Sequence, residues 1–170
     1  MKFYHATTWH WPAEHEVIAS SKTTFYPEAS EALDARRPAD APSRTVCVFA
    51  SESAKFATYY LLKQNVAAEW IKLYEVEMVE SRKAPFAIVH ALSRCLEKKQ
   101  DASRLIDEYW HPQKSWNSYE LFGPCMKVKS KLEQLPELNL TLLKFDYDGD
   151  ASTAKGLWYK PPPPNWLPPK

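Results

Sequence analysis

Glycine is the scarcest structural residue of this chain, with three copies in 170 positions. So little glycine leaves no Gly-rich turn to bring backbone N–H groups against a diphosphate, which excludes a Rossmann dinucleotide loop and a P-loop. A G-x-S-x-G elbow is also missing, so a Ser-His-Asp hydrolase has no support. Cysteine is equally rare. Cys47, Cys95 and Cys125 are odd in number, widely spaced and without a C-x-x-C pair, which argues against a disulfide framework and a structural zinc site. Cys47 and Cys125 sit in apolar runs and are expected as buried thiols acting as small hydrophobes. No apolar stretch approaches the roughly 20 residues that cross a bilayer, and Met1-Lys2-Phe3-Tyr4-His5 lacks the apolar core of a signal peptide. The expected location is cytoplasmic, with no membrane contact. A net charge of +1 exerts no overall pull toward nucleic acid.

Proline and aromatic surface are abundant instead: fourteen prolines and seven tryptophans. The length suits one domain with a sizeable core. Lys2 to Thr8 reads as a short strand, and Trp9 to Thr24, which contains Pro12, as a surface loop. Pro27 opens a helix that runs to Arg36, acidic early and basic at its end. Pro38 and Pro42 stop it. Thr45 to Ala50 is apolar and β-rich, a buried strand. Ser51 or Ser53 can cap the helix that follows, which keeps Ala54, Ala57, Leu61 and Leu62 on one side to about Gln64. Trp70 to Val79 alternates as a strand with a face reversal or bulge near Tyr74. Phe86 to Lys98 is amphipathic, and Ala102 to Trp110 makes another helix. Tyr119 to Leu132 is strand-like, broken at Gly123-Pro124. Leu140 to Tyr147 is the last expected strand, ended by the turn signal Asp148-Gly149-Asp150.

Strands interrupted by helices, without strict alternation, predict an α+β fold with a mixed or split sheet. The expected division is a domain over residues 1–150 and a Pro/Trp-rich tail over 151–170 packed upon it. The Pro161–Pro164 run should be extended, lying on the surface beside Trp158, Tyr159 and Trp166. His10, Glu14 and His15 have no metal-ligand spacing and are read as loop. Lys127, Lys129 and Lys131 alternate and therefore share one strand face. That face suits a phosphate backbone or, more simply, a solvated edge that resists strand pairing.

Four short islands carry the chemistry: Phe3-Tyr4-His5-Ala6-Thr7, Val48-Phe49-Ala50-Ser51, Tyr59, and Tyr119-Glu120-Leu121. Glu120 stands out without any comparison, because a carboxylate in an apolar strand is costly unless it faces a cleft or a partner. In order and local detail the islands resemble the ADP-ribosyltransferases, specifically the His-Tyr-Glu branch of diphtheria toxin and the poly(ADP-ribose) polymerases. The resemblance implies an α+β core with a split mixed or antiparallel sheet and flanking helices. It also implies that NAD⁺ is consumed as a co-substrate, with no metal.

Carried onto this chain, the resemblance makes His5 the residue that bonds the ribose hydroxyls. Ala6, where the family usually has glycine, reads the nicotinamide amide through its backbone, and the Thr7 hydroxyl assists. Tyr59, ten residues after Phe49, lies flat on nicotinamide, with Tyr60 as the neighbouring option. Val48 occupies the place of a second family tyrosine, which removes one aromatic face, and Ser51 is the polar residue after Phe-Ala. Arg44, chosen over Arg36 and Arg37, approaches the pyrophosphate. Glu120 bonds the ribose 2′-hydroxyl and stabilises the oxocarbenium ion. Ser118, two positions earlier, disfavours arginine as acceptor. The implied activity is mono-ADP-ribosyl transfer by a toxin-like, monomeric enzyme to a macromolecule, with protein favoured over nucleic acid. The rivals are an NAD glycohydrolase and a silent nucleotide- or partner-binding module. RNA 2′-phosphotransfer on the same fold lacks the basic residues it needs.

Overall fold

A computed structural model describes residues 1–23, 25–161, 164–165 and 167–169. Thr24, which closes the first loop, and Pro162, Pro163 and Trp166 of the expected polyproline segment lie outside the described residues. Among the described residues, two antiparallel sheets organise the chain. The first contains β1 (Phe3–Thr7), β4 (Lys72–Val79), β7 (Cys125–Lys131) and β2 (Glu16–Ile18) in that spatial order. The second contains β3 (Val48–Ala50), β6 (Tyr119–Gly123) and β5 (Arg82–Pro85). Among the described residues, five α-helices flank them: α1 (Pro27–Ala35), α2 (Ala54–Lys63), α3 (Phe86–Glu97), α4 (Ser103–Trp110) and α5 (Leu140–Lys155). The chain is α+β. No helix of the described residues is long and apolar enough to cross a membrane.

The break between the sheets sits at Gly123-Pro124. A Cβ on Gly123 would lie 3.1 Å from the Val79 carbonyl oxygen, and Pro124 has no N–H for a ladder. One strand thus becomes two, β6 and β7, in different sheets. The sheets meet again at a single bridge, where Tyr4 N donates to Ser51 O at 2.7 Å and Ser51 N to Tyr4 O at 2.9 Å. This bridge sets the His5 strand beside the β3–α2 junction. The bulge expected near Tyr74 is a register shift between Glu75 and Val76, and Ser53, the second of the two cap candidates, accepts from Phe56 N.

Several expectations are corrected. The strand expected over Thr45 to Ala50 is only β3, because the Asp34 carboxylate takes the N–H groups of Arg44 and Thr45 at 2.8 and 3.0 Å. With their donors occupied, these residues cannot join a ladder. Leu140 to Tyr147 is not a strand but the first half of α5, capped by Asn139 onto Leu142 N. Leu140, Leu142 and Phe145 are exposed, so their apolar character marks no buried face. Asp148-Gly149-Asp150 is mid-helix, and the boundary expected at residue 150 therefore falls inside α5. Ala154, Leu157 and Trp158 are buried with α1, α3 and α4 in the larger core cluster, so the start of the supposed tail belongs to the domain. β2 falls inside Trp9 to Thr24, the expected loop: its three residues pair with Cys125–Lys127 of β7. β5 had no sequence expectation. Cys95 is the fully buried thiol, while Cys47 and Cys125 are partly exposed; burial pushes the Cys47 thiol up to about 12.

Candidate active site

A cavity of about 140 Å³ opens where β1, β3, α2 and β6 meet. An apolar cavity of about this size accepts a benzene-sized ring. Its walls are largely aromatic, with Phe25, Phe49, Phe56, Tyr60 and Phe86. His5 and Ala6 line one side, Ser51 the rim, and Glu120 reaches it from β6.

His5 is fixed by its own sheet junction. Its Nδ1 lies 2.6 Å from the Phe49 carbonyl oxygen, which can only accept, so Nδ1 carries the proton and Nε2 is left as an acceptor. Burial holds the imidazole below its ordinary value, which keeps that acceptor lone pair available near neutral pH.

Glu120 is the most constrained group of the site. It is 5% exposed and forms an ion pair with Arg44, which is wholly buried. Arg44 Nε donates to Oε1 at 2.9 Å and Nη2 to Oε2 at 3.1 Å, the fork geometry of a bidentate pair. Tyr109 OH donates to Oε1 at 2.5 Å, and Arg44 Nη1 donates to the Ser30 hydroxyl at 2.5 Å. The guanidinium also lies over Phe49, 4.9 Å from its centroid. A carboxylate has about four acceptor positions. Three are filled by these donors, which leaves one on Oε2. Behind β6, the buried Asp150 carboxylate accepts from the N–H groups of Asn117 and Ser118 at 2.9 Å each, so α5 pins the strand that delivers Glu120.

Several candidates stand elsewhere than expected. Arg44 is not at a pyrophosphate position: it lies beneath Glu120 with its guanidinium engaged on both sides, because only a buried cation offsets the cost of that buried carboxylate. The ring on the cavity wall belongs to Tyr60. Tyr59 instead lines an adjoining cavity together with Lys63, whose Nζ is 5.8 Å from its centroid, because the register of α2 gives adjacent residues different faces. Thr7 is buried, its hydroxyl accepting from Trp9 N at 3.2 Å, and it does not line the cavity. Val48 packs into the smaller core cluster with Tyr74, Val76 and Met126, so it too leaves the cavity wall. His5, Ala6, Ser51 and Glu120 are the candidates brought together.

Sequence reading missed Phe25, Phe86 and Tyr109. Phe86 follows Pro85 as the first residue of α3, and its apolar character fitted an ordinary helix face. Nothing local marks Tyr109 as the partner of Glu120. Of the lysine row, Lys127 and Lys129 both pair with Glu14, at 2.5 and 3.1 Å. These are solvated ion pairs, but β7 is not an edge strand: it lies between β4 and β2, and Lys127 pairs with Glu16 and Glu77 on its two sides. His15 stacks on Trp11. No family model, curated protein or solved structure matches this chain.

Proposed function

We propose that the chain is an NAD⁺-dependent mono-ADP-ribosyltransferase of the His-Tyr-Glu kind, with the first cavity as its nicotinamide pocket and the two bridged sheets as its split core. The observation that carries this reading is the convergence of His5, Tyr60 and Glu120, from three separate elements, on one ring-sized aromatic cavity. Tyr60 supplies a face for a pyridinium ring, and Phe86, perpendicular to Tyr60 at 5.6 Å between centroids, closes the wall beside it. Nε2 of His5 accepts from a ribose hydroxyl. The free position on Oε2 of Glu120 accepts the ribose 2′-hydroxyl, placing negative charge beside the anomeric carbon.

Cleavage of the nicotinamide–ribose bond sends the bonding pair onto nicotinamide and leaves an oxocarbenium-like ribose. Stabilising that charge with an immobile carboxylate is electrostatic preorganisation, because the group is already oriented before the charge develops. Its relation to glycoside hydrolysis is close. Loss of ADP-ribose to water gives the glycohydrolase outcome; capture by a macromolecule gives transfer.

A second reading has its own support. Arg44 compensates the Glu120 charge directly, and a compensated carboxylate stabilises a cation less. That favours a nucleotide-binding module without turnover. One experiment separates the readings: purified protein is titrated with NAD⁺ by calorimetry, then incubated with labelled NAD⁺ and lysate. Nicotinamide release with label on macromolecules supports transfer, and release without label supports a glycohydrolase. Binding without release supports the silent module. Absence of binding removes the proposal.

A further inference from the structure

Beside the first cavity lies a second, of about 170 Å³, and Phe25, Phe56, Tyr60 and Phe86 are walls of both. Its far side adds Tyr26, Tyr59, Tyr147 and three polar groups, Lys63, Gln64 and His90. None of these has a part in the chemistry derived above.

Two features suggest that this cavity is built for a ligand. Lys63, the last residue of α2, is exposed at the cavity's edge, with its Nζ 3.4 Å from the Tyr147 ring centroid. Among the described residues it makes no ion pair with a carboxylate. Partial desolvation by the ring faces lowers its pKa against the opposing pull of the nearby Asp148. Tyr26, in turn, has left-handed backbone angles, φ 49° and ψ 61°, which a bulky side chain adopts at a cost. That conformation sets its ring against the cavity, with its hydroxyl 2.7 Å from His90 Nδ1.

The complementary ligand is a flat ring with an acceptor on its edge. An apolar ring would leave the Lys63 ammonium to water alone, and an aliphatic side chain would leave the aromatic faces unused. Bases stack on aromatic side chains whatever their identity, and a lysine ammonium donates well to a ring carbonyl such as guanine O6. Gln64 offers a donor and an acceptor at the same edge.

We propose that the second cavity is a subsite for a nucleobase carrying a ring carbonyl, such as guanine, uracil or thymine, with the carbonyl on Lys63. Resting on the NAD⁺ reading above, this base is the ADP-ribose acceptor. The C1′–N bond to nicotinamide breaks with its electron pair on nicotinamide, a lone pair of the base forms the new bond to C1′, and the N–H proton of the base passes to water.

The test is calorimetric titration of the whole protein with guanosine and uridine 5′-monophosphates, with adenosine 5′-monophosphate as the ring lacking a carbonyl. The guanosine and uridine nucleotides should bind about tenfold more tightly than the adenosine one. Lys63→Met should weaken them about tenfold while NAD⁺ affinity stays within about twofold, since Lys63 lines only the second cavity. Tyr147→Leu should do the same, and Tyr147→Phe should keep binding, which guards against a folding defect. Tighter binding of a short single-stranded oligonucleotide than of its monomer would assign the base to a nucleic acid; equal affinity would assign it to a free nucleotide. A protein that binds NAD⁺ but no nucleotide, or whose nucleotide affinity ignores Lys63→Met, overturns the subsite. Lys63-dependent nucleotide binding without any NAD⁺ binding leaves the subsite standing and removes the NAD⁺ reading.

Discussion

The two adjoining cavities have similar volumes and four walls in common, yet they treat charge in opposite ways. In the first, the carboxylate arrives already paired: Glu120 is held by Arg44 and Tyr109 with a single acceptor position left open. In the second, Lys63 rests on ring faces without a carboxylate ion pair among the described residues. A fully tied group costs a ligand nothing in reorganisation, whereas an ammonium left to water can exchange it for a ligand's acceptor. The first arrangement suits chemistry at a fixed point. The second suits recognition.

The sharpest way to break this contrast is to remove the cation from the first cavity. Arg44→Met should destabilise the protein by about 3–5 kcal/mol, because it leaves a buried carboxylate unpaired. The double variant Arg44→Met with Glu120→Gln should recover part of that loss. Denaturant unfolding measures both, and additive losses would mean that the two groups are not coupled.

Glu120→Gln alone should lower nicotinamide release about a hundredfold or more while NAD⁺ binding remains measurable. The position in the apolar strand suggests a change that spares the fold, but the ion pair adds a stability cost, since an amide nitrogen would then face a guanidinium donor. Rates are therefore compared well below the variant's melting temperature. Release within a few-fold of the native protein would take Glu120 out of the chemistry.

Next in size is the choice between adjacent tyrosines. Tyr60→Ala should weaken NAD⁺ about tenfold, the loss of one stacking face, and Tyr59→Ala should change it by less than about threefold. The opposite order, read by calorimetry, would restore the register expected from the spacing to Phe49.

The smallest effect is in pH. His5 and His90 both have pKa values lowered, chiefly by burial, so the unfolded chain binds more protons than the native one as pH falls below the ordinary histidine value of about 6.5. Their contribution is complete above that pH and is lost as pH drops through the window below it toward the folded values. The midpoint of urea unfolding should decline over that interval, and His5→Gln with His90→Gln should flatten the decline. An unchanged slope in the double variant would mean that other groups govern it.

Much of the fold could be read locally. Pro27 at the first turn of α1, the cap at Ser53, the amphipathic runs of α3 and α4 and the break at Gly123-Pro124 all stand near their expected places. α5 was illegible because Leu140, Leu142 and Phe145 are exposed, so their pattern reports no core. Its polar residue Asp150 is buried instead, on backbone donors of a distant segment.

The sequence by itself determined α1 to α4 and the strands around β1, β3, β4, β6 and β7, and it singled out Glu120, because periodicity, capping and the cost of a carboxylate among apolar neighbours are local properties. Only the tertiary structure decided that Arg44 would sit beneath Glu120, that Tyr109 would cap it, and that Tyr60 and not Tyr59 would face the first cavity. Arg44 and Glu120 are 76 residues apart, and neither carries a local mark of the other. A residue's partner across the fold depends on which surfaces pack together, and that is settled by the sum of long-range contacts, which no window of sequence contains.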